Sequence, residues 1–320
     1  EGEDEADPDQ VQTSTPTTWV GPRTSAGEFC SYGSDTDGGR VHANLEYHHA
    51  VTDYAVSYGD SSCRTCGPPE LAPGIDPSIE GTFTLRHERI YRSRIWKTAD
   101  GFGRRWTHNH DIQLALQAGP GFTSAVLTFP SGIAWRWLDV GNTGVFVEHG
   151  SLHKETTKAT LVPVPDGYLV TTKFGERVHL AAMADDPSVD YRPDWMESKN
   201  GFRLSYTYDA VADGIDRLVQ VTDSFGRSLT YEWQLLGAAR HVITKLTLPD
   251  GREVLYSHTG PDDYTVTHPN GDLSVFALEH DATEGAYYAF HDAIGNPGSR
   301  KHRVWTNPSG QTRLIRDLDG

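Results

Sequence analysis

Turns that contain glycine alternate with short apolar and aromatic runs along most of the chain, and this pattern predicts strands. In the run 82–91, apolar residues recur at alternate positions, with Phe83, Leu85 and Tyr91 on one face. That period of two is the mark of a half-buried strand. A second strand is predicted from Trp106 to Leu116, after the turn at 100–103.

The N-terminal third carries weaker signals of the same kind. Two strand-like runs, Arg40–Tyr47 and Ala50–Ser57, lie among turn residues. The first 24 residues are acidic and then rich in threonine and proline, which is typical of a solvated arm. We therefore expect an arm at 1–24 and a small β-rich, cysteine-containing module at 25–80.

From about residue 125 one unit recurs. It is a turn that contains glycine, with a large apolar residue five positions later. The pairs are Gly132 with Trp137, Gly175 with Leu180, Gly201 with Tyr206, Gly226 with Tyr231, Gly251 with Tyr256, Gly271 with Phe276, and Gly310 with Ile315. The middle glycines lie 20 to 26 residues apart, the length of a strand–turn–strand unit.

The constant offset of five places each large residue on the same face of its hairpin. Single hairpins are marginal, and stacked neighbours bury one another's faces. The expected fold is therefore all-β, with repeated antiparallel hairpins forming an extended coiling sheet. A first hairpin at 81–124 is predicted to lead into repeats at 125–320.

The most specific motif of the repeats lies near the middle of the chain. It reads Tyr206-Thr207-Tyr208-Asp209, then Arg217-Leu218, Thr222-Asp223 and Gly226-Arg227. This order resembles RHS/YD-repeat proteins over roughly residues 81–320. The resemblance implies a β-sheet ribbon, of solenoid or shell type, in a large secreted or cell-surface protein. In that family the shell often encloses a C-terminal toxin, and related modules serve as adhesion scaffolds.

Charge narrows the classes of partner. The formal net charge is −16, and residues 1–80 hold 15 acidic against 3 basic residues. Such a surface repels nucleic acid and anionic lipid. No apolar run is long enough to span a membrane. We expect the partners to be other protein chains or further repeats of the same chain, with self-association through the arm or an open strand edge.

The three cysteines, Cys30, Cys63 and Cys66, leave three possibilities open, namely a disulfide, a zinc site or neither. A disulfide between Cys30 and Cys63 or Cys66 suits a secreted protein. A zinc site is the alternative, with His48 among the candidate fourth ligands. No cofactor is expected otherwise.

Two further segments have weak metal signatures. His108 and His110 stand two apart in a predicted strand, before Asp111, but no third ligand is signalled nearby. Asp35-Thr36-Asp37-Gly38-Gly39 resembles the start of a calcium loop and departs from it at the fifth and twelfth positions, so a turn is the preferred interpretation.

Tryptophan supplies the last candidate site. Trp135, Trp137, Trp233 and Trp305 suit either a sugar platform or the packing of a sheet face. Motifs for nucleophilic catalysis, zinc hydrolysis and phosphate binding are missing from the sequence. The expected function is a structural shell or scaffold segment and not an enzyme. The alternatives are an adhesion or filament subunit and a glycan-binding module.

Overall fold

The computed structural model describes the chain as β-strands, turns and connecting segments, which confirms the all-β prediction. The described residues are 40–41, 47–56, 85–92, 101–103, 105–149, 158–183, 191–210, 216–237, 240–260, 263–281, 285–294, 300–306 and 312–317. Within these ranges the strands pair antiparallel and no helix occurs. Accordingly, nothing in the described part of the chain is a helix able to cross a membrane.

Four strands form a small sheet, here called the N-terminal sheet. Its members, in spatial order, are β1 (Arg40–Val41), β2 (Tyr47–Val56), β3 (Leu85–Arg92) and β4 (Trp106–His108). Each pairs antiparallel with the next. The long pairing of β2 with β3 joins residues on both sides of the module boundary predicted at residue 80.

The following four strands form consecutive antiparallel pairs. They are β5 (Gln113–Gly119), β6 (Phe122–Thr128), β7 (Ala134–Val140) and β8 (Val147–Glu148). The sequence predicts one strand from Trp106 to Leu116, and this prediction is wrong. Residues 109–112 separate β4 from β5. The backbone amide of Asn109 donates to Glu88 O, and that of Asp111 donates to His108 O. These bonds form a turn that leads the chain from one sheet to the next.

Fourteen strands in unbroken sequential order make up the repeat sheet. They are β9 (Thr160–Val164), β10 (Gly167–Thr171), β11 (Arg177–Ala182), β12 (Tyr191–Glu197), β13 (Arg203–Ala210), β14 (Asp216–Asp223), β15 (Ser228–Leu236), β16 (Arg240–Thr247), β17 (Glu253–His258), β18 (Tyr264–Thr267), β19 (Leu273–Asp281), β20 (Gly285–Ile294), β21 (Arg300–Thr306) and β22 (Thr312–Asp317). Neighbours in this order pair antiparallel. A bridge between Tyr191 and Leu114 connects β12 to β5.

One turn geometry closes every second hairpin. At Gly251 the glycine amide donates to Leu248 O at 2.9 Å, and the Leu248 amide donates to Arg252 O at 2.8 Å. This is a tight turn whose glycine takes the left-handed position, where a side chain is disfavoured. The same two bonds recur, with φ between 79° and 93°, at Gly132, Gly175, Gly201, Gly226 and Gly271.

The residues five positions after these glycines share one buried face. Their exposed fractions run from 0 to 6%, for Trp137, Leu180, Tyr206, Tyr231, Tyr256 and Phe276. The side chains of the opposite face are more exposed, as Leu255 shows beside Tyr256. The turn therefore fixes the register, and the register selects the buried face. We call the residues Tyr206, Tyr231, Tyr256, Tyr264, Phe276, Tyr288 and Phe290 the aromatic face.

Candidate functional site

The N-terminal sheet lies directly on the aromatic face of the repeat sheet. Strand β3 alternates between buried and half-buried residues. Its buried positions are Leu85, His87, Arg89 and Tyr91, each with no exposed surface. Two of these four are polar or cationic, so the contact between the sheets is not a plain apolar core.

An irregularity in β2 supplies the counter-charge. The register between β2 and β3 shifts between Thr52 and Tyr54, which leaves Asp53 as the additional residue of a bulge. Bulges re-aim side chains. Here the carboxylate of Asp53 turns into the interface, and its side chain has no exposed surface.

Asp53 and Arg89 form a two-pronged ion pair. The Arg89 Nε and Nη2 atoms donate to the two Asp53 oxygens at 2.6 and 2.8 Å. The repeat sheet completes the pair from the other side. Arg89 Nη1 donates to Tyr264 Oη at 2.8 Å, and Tyr256 Oη donates to Asp53 Oδ2 at 2.9 Å. Two repeat-sheet tyrosines are thus bonded to one ion pair of the N-terminal sheet.

Aromatic rings enclose the guanidinium of Arg89. Its central carbon lies 4.8 Å from the ring centre of Phe276 and 5.5 to 5.7 Å from those of Tyr264, Tyr256 and Trp106. A cation over an aromatic face is attracted by the ring quadrupole, and more so away from water. The rings therefore offset part of the desolvation of the buried charge.

The ion pair remains charged in this enclosure. Burial alone would raise the pKa of the Asp53 carboxyl, but the charge and hydrogen bonds of Arg89 outweigh burial and lower that pKa below its usual value. Burial likewise opposes the charge of Arg89, and the attraction of Asp53 raises the guanidinium pKa well above its usual range. Each partner keeps the other ionised, which makes the pair sensitive to the loss of either one.

Two further groups of contacts hold the sheets together. His87 Nδ1 shares a hydrogen bond with Tyr231 Oη at 3.1 Å. Trp106 Nε1 donates to Tyr288 Oη at 2.9 Å, and Tyr91 stacks on Tyr288 with ring centres 4.8 Å apart.

The segment that connects β3 to β4 is also bonded to the repeat sheet through its backbone. Gly101 forms a parallel bridge with Val242 of β16. The Gly101 amide donates to His241 O at 2.9 Å, and the Ile243 amide donates to Gly101 O at 3.1 Å. Directional side-chain and backbone bonds therefore define this interface, in addition to its apolar contacts.

The repeat-motif residues predicted from the sequence fall into two groups. Gly201, Gly226, Gly251 and Gly271 occupy the turns, and Tyr206, Tyr231, Tyr256 and Phe276 occupy the aromatic face. Tyr231 and Tyr256 are bonded to the N-terminal sheet. Tyr208 and Asp209 lie after a bulge in β13, where Tyr208 packs at the margin of the core and Asp209 is exposed.

Most of the predicted metal ligands lie in segments that the structure does not describe, so the cysteine prediction remains a prediction. Cys30, Cys63, Cys66 and the segment 35–39 lie outside the described residues, as does the side chain of His48. Of the predicted histidine pair, His110 lies beyond the end of β4, and its Nε2 is 2.7 Å from Arg86 O. Asp111 accepts bonds from Thr107 and Gln113. Among the residues described, no three histidine, cysteine, aspartate or glutamate side chains are arranged so that they could hold a metal ion.

Of the two alternatives for the tryptophans, a sugar platform or the packing of a sheet face, the structure supports packing. Trp135, Trp137 and Trp305 have exposed fractions of 2% or less, so they offer no ring face to a sugar. The indole of Trp137 donates to Ala159 O, and the half-buried Trp233 donates to Leu218 O.

The sequence analysis missed the polar half of the interface, namely Asp53, His87 and Arg89. A signal was present in the strand pattern. His87 and Arg89 stand in phase with Leu85 and Tyr91, and a cation in phase with an apolar face predicts a buried partner. The bulge that aims Asp53 at Arg89 has no comparable signal, because it depends on the pairing of β2 with β3.

Comparison with known proteins gives one partial match. A family described as "Domain of unknown function (DUF6531)" matches residues 70–134. The matched segment includes β3, β4 and therefore His87, Arg89 and Trp106, so the likeness covers one side of the interface. A search of curated proteins finds no match.

Proposed function

We propose that this chain is a structural segment of an RHS/YD-type shell or scaffold in a secreted or cell-surface protein. In this proposal the repeat sheet is wall material, and the N-terminal sheet is a cover fixed to its aromatic face. The function is mechanical: it holds a large curved sheet in one shape and keeps its apolar face out of water.

The observation that carries the proposal is the aromatic face and its cover. Successive hairpins with the same turn present Tyr231, Tyr256 and Phe276 to one side. The N-terminal sheet covers that side with an ion pair and hydrogen bonds, and the segment between β3 and β4 adds a backbone bridge. Such an arrangement stabilises a wall, because each hairpin is marginal alone and gains stability from its neighbours.

The chemistry of the interface favours a scaffold over an enzyme. Asp53 and Arg89 are bonded to each other and to two tyrosines, with their side chains out of contact with solvent. Catalytic acids and bases need access to a substrate. This cluster serves instead to align two sheets.

Electron microscopy of the complete native protein, purified without refolding, tests the proposal. Closed hollow particles are expected, with density for the N-terminal sheet on the wall. Extended polymers would contradict a shell and would favour a filament subunit. Density within the particles would identify the toxin cargo that the RHS resemblance implies.

A matched pair of variants connects that test to the interface. In Asp53→Ala particles the density of the N-terminal sheet should weaken or disappear, since the variant leaves Arg89 buried without its counter-charge. Asp250→Ala removes the carboxylate of the partly exposed pair Asp250–Arg252 and should leave the particles unchanged.

A further inference from the structure

Three histidines lie together between the N-terminal sheet and the repeat sheet. They are His87 on β3, His108 on β4 and His110 just after β4. The ring of His108 is 5.9 Å from that of His87 and 6.2 Å from that of His110, measured between centroids. His87 has no exposed surface and His110 has 2%.

The repeat sheet faces this cluster with tyrosines. Tyr206 of β13 lies 5.6 Å from His110, and Tyr231 of β15 lies 5.4 Å from His87 and 6.2 Å from His108, between ring centres. These rings are apolar apart from their hydroxyls. They carry no negative charge that could pair with a protonated imidazole.

The hydrogen bonds of His87 suit a neutral ring. Its Nδ1 is bonded to Tyr231 Oη, whereas its Nε2 is buried and has no hydrogen-bond partner among the described residues. The nearest carboxylate oxygen, Asp53 Oδ2, is 3.9 Å away, beyond hydrogen-bond range. That carboxylate is already bonded by Arg89 and Tyr256.

The charged groups around the cluster lie on the strands of the N-terminal sheet. Asp53 of β2 is the anion, and Arg89 and Arg86 of β3 and His108 of β4 are the positively charged or chargeable groups. Burial, with His108 and Arg89, lowers the pKa of His87 to about 3 against the attraction of Asp53. Burial, with His108 and His87, lowers the pKa of His110 well below its usual value.

We propose that this histidine cluster is an acid-sensitive latch, and that mild acid releases the N-terminal sheet from the aromatic face. In the docked state His87 and His110 are neutral and lie among apolar rings. When the sheets separate, both imidazoles reach water and accept protons. Acid therefore favours the separated state by mass action.

The sign and range of the effect follow from linkage. The docked form binds fewer protons than the separated form at every pH between the usual histidine value of about 6.5 and the lowered one. Each histidine then multiplies the ratio of separated to docked molecules by up to about tenfold per pH unit below about 6.5. Two histidines together give up to about a hundredfold per unit.

The ion pair does not cause this response. The pKa of Asp53 is lowered, so its carboxylate stays charged until the pH falls below the ordinary carboxyl range near 4. Between about pH 6.5 and 4.5 the pair is intact and histidine is the group that titrates. The latch concerns the interface and does not depend on whether the complete protein forms a shell.

Hydrogen exchange of the intact chain tests the latch, because two backbone amides join the segment between β3 and β4 to the repeat sheet. These are the Gly101 amide, bonded to His241 O, and the Ile243 amide, bonded to Gly101 O. Their exchange, corrected for the intrinsic effect of pH, should accelerate by up to roughly thirtyfold between pH 6.5 and 5.5, because each exposed imidazole passes from about half to about nine-tenths protonated. The amides of β18 and β19, which pair within the repeat sheet, should keep their protection.

Variants identify the protonated groups. His87→Gln and His110→Gln keep a neutral polar side chain, and each should reduce the acceleration at the bridging amides to roughly fivefold over the same interval. His149→Gln, at an exposed position, should behave as the parent chain. An unchanged pH response in both interface variants would overturn the proposal. So would equal loss of protection in β18 and β19, since that would be general acid unfolding.

Discussion

At the scale of the residue, the interface depends on the buried charge of Arg89, which the groups around it stabilise. Arg89 has one carboxylate, one tyrosine hydroxyl and four rings around it. A buried ion pair adds little net stability over an apolar pair of the same shape, but the loss of one partner is costly. What the pair supplies is alignment, because its geometry is satisfied at one relative position of the two sheets.

Removal of the carboxylate should therefore be severe. Asp53→Ala is expected to lower the free energy of unfolding by roughly 3–5 kcal/mol, because it leaves the buried Arg89 without its anion. Urea denaturation followed by far-ultraviolet circular dichroism measures the loss. Asp250→Ala, in a pair that is partly exposed, should cost less than about 1 kcal/mol. Equal losses in the two variants would contradict a buried, interdependent pair.

The turn glycines give a second prediction for single residues. Gly251 has a φ of 82°, and an added Cβ would meet no atom within 4 Å. Backbone strain alone should make Gly251→Ala cost about 1–2 kcal/mol. Gly251→Asn should cost less, because asparagine tolerates the left-handed region better than alanine. If urea midpoints of the two variants coincide with that of the parent chain, the turn does not require this conformation.

Single residues also mark the limit of what the sequence reveals. The glycines of the turns and the aromatic residues five positions later follow from local chemistry, and their conformation and burial match that chemistry. The role of Asp53 does not follow, because it arises from a bulge in one strand and a partner 36 residues away. Local sequence patterns do not determine which residue of a bulge pairs with which buried cation.

At the scale of the element, the repeat is a hairpin with more internal detail than the sequence pattern indicates. After Tyr206 and again after Tyr231, the register shifts by one residue, and a second aromatic residue follows the shift. These residues are Tyr208 and Trp233. Each lies beneath an arginine, Arg192 or Arg217, at 5.8 to 5.9 Å. The repeating unit therefore contains four features in order. They are the glycine turn, a buried aromatic residue, a bulge, and a second aromatic residue that an arginine covers.

The two faces of one strand allow a matched test of this unit. Tyr256 is 2% exposed and Leu255, beside it in β17, is 42% exposed. Tyr256→Ala should cost roughly 3–5 kcal/mol of unfolding free energy, because it opens a cavity in the aromatic face. Leu255→Ala should change that free energy by about 0.5 kcal/mol. Similar losses in the two variants, measured by thermal or urea unfolding, would mean that the faces are not distinguished.

The element boundaries show where sequence patterns fail. The apolar periodicity from Trp106 to Leu116 is compatible with one strand, yet Trp106 pairs with Tyr91 in the N-terminal sheet and Leu114 pairs with Leu127 in another. The break between β4 and β5 depends on Asn109. Its backbone amide donates to Glu88 O, and its side-chain oxygen accepts a bond from the backbone amide of Glu88. These are tertiary hydrogen bonds, and the spacing of apolar residues along the sequence does not predict them.

At the scale of the whole molecule, the chain folds back so that its first described strands cover its later ones. Contacts such as Asp53 with Tyr256 and Arg89 with Tyr264 join residues 203 and 175 positions apart. The hairpin array could be predicted from the repeats, because each unit is local. The cover could not, because long-range contacts between two modules have no local signature. The matched family segment, residues 70–134, includes β3 and β4 of the cover and also β5 and β6, which follow it.

The central claim is that the aromatic face is closed by the N-terminal sheet, and hydroxyl-radical footprinting of the intact chain at neutral pH tests it most directly. The method measures the solvent exposure of each side chain, with the urea-unfolded chain as the reference for intrinsic reactivity. Tyr231, Tyr256 and Tyr264 should be strongly protected, while Phe225, which is 61% exposed, should be oxidised almost as in the unfolded chain. If the three tyrosines are oxidised as readily as Phe225, the face is open and the account of a covered wall is wrong.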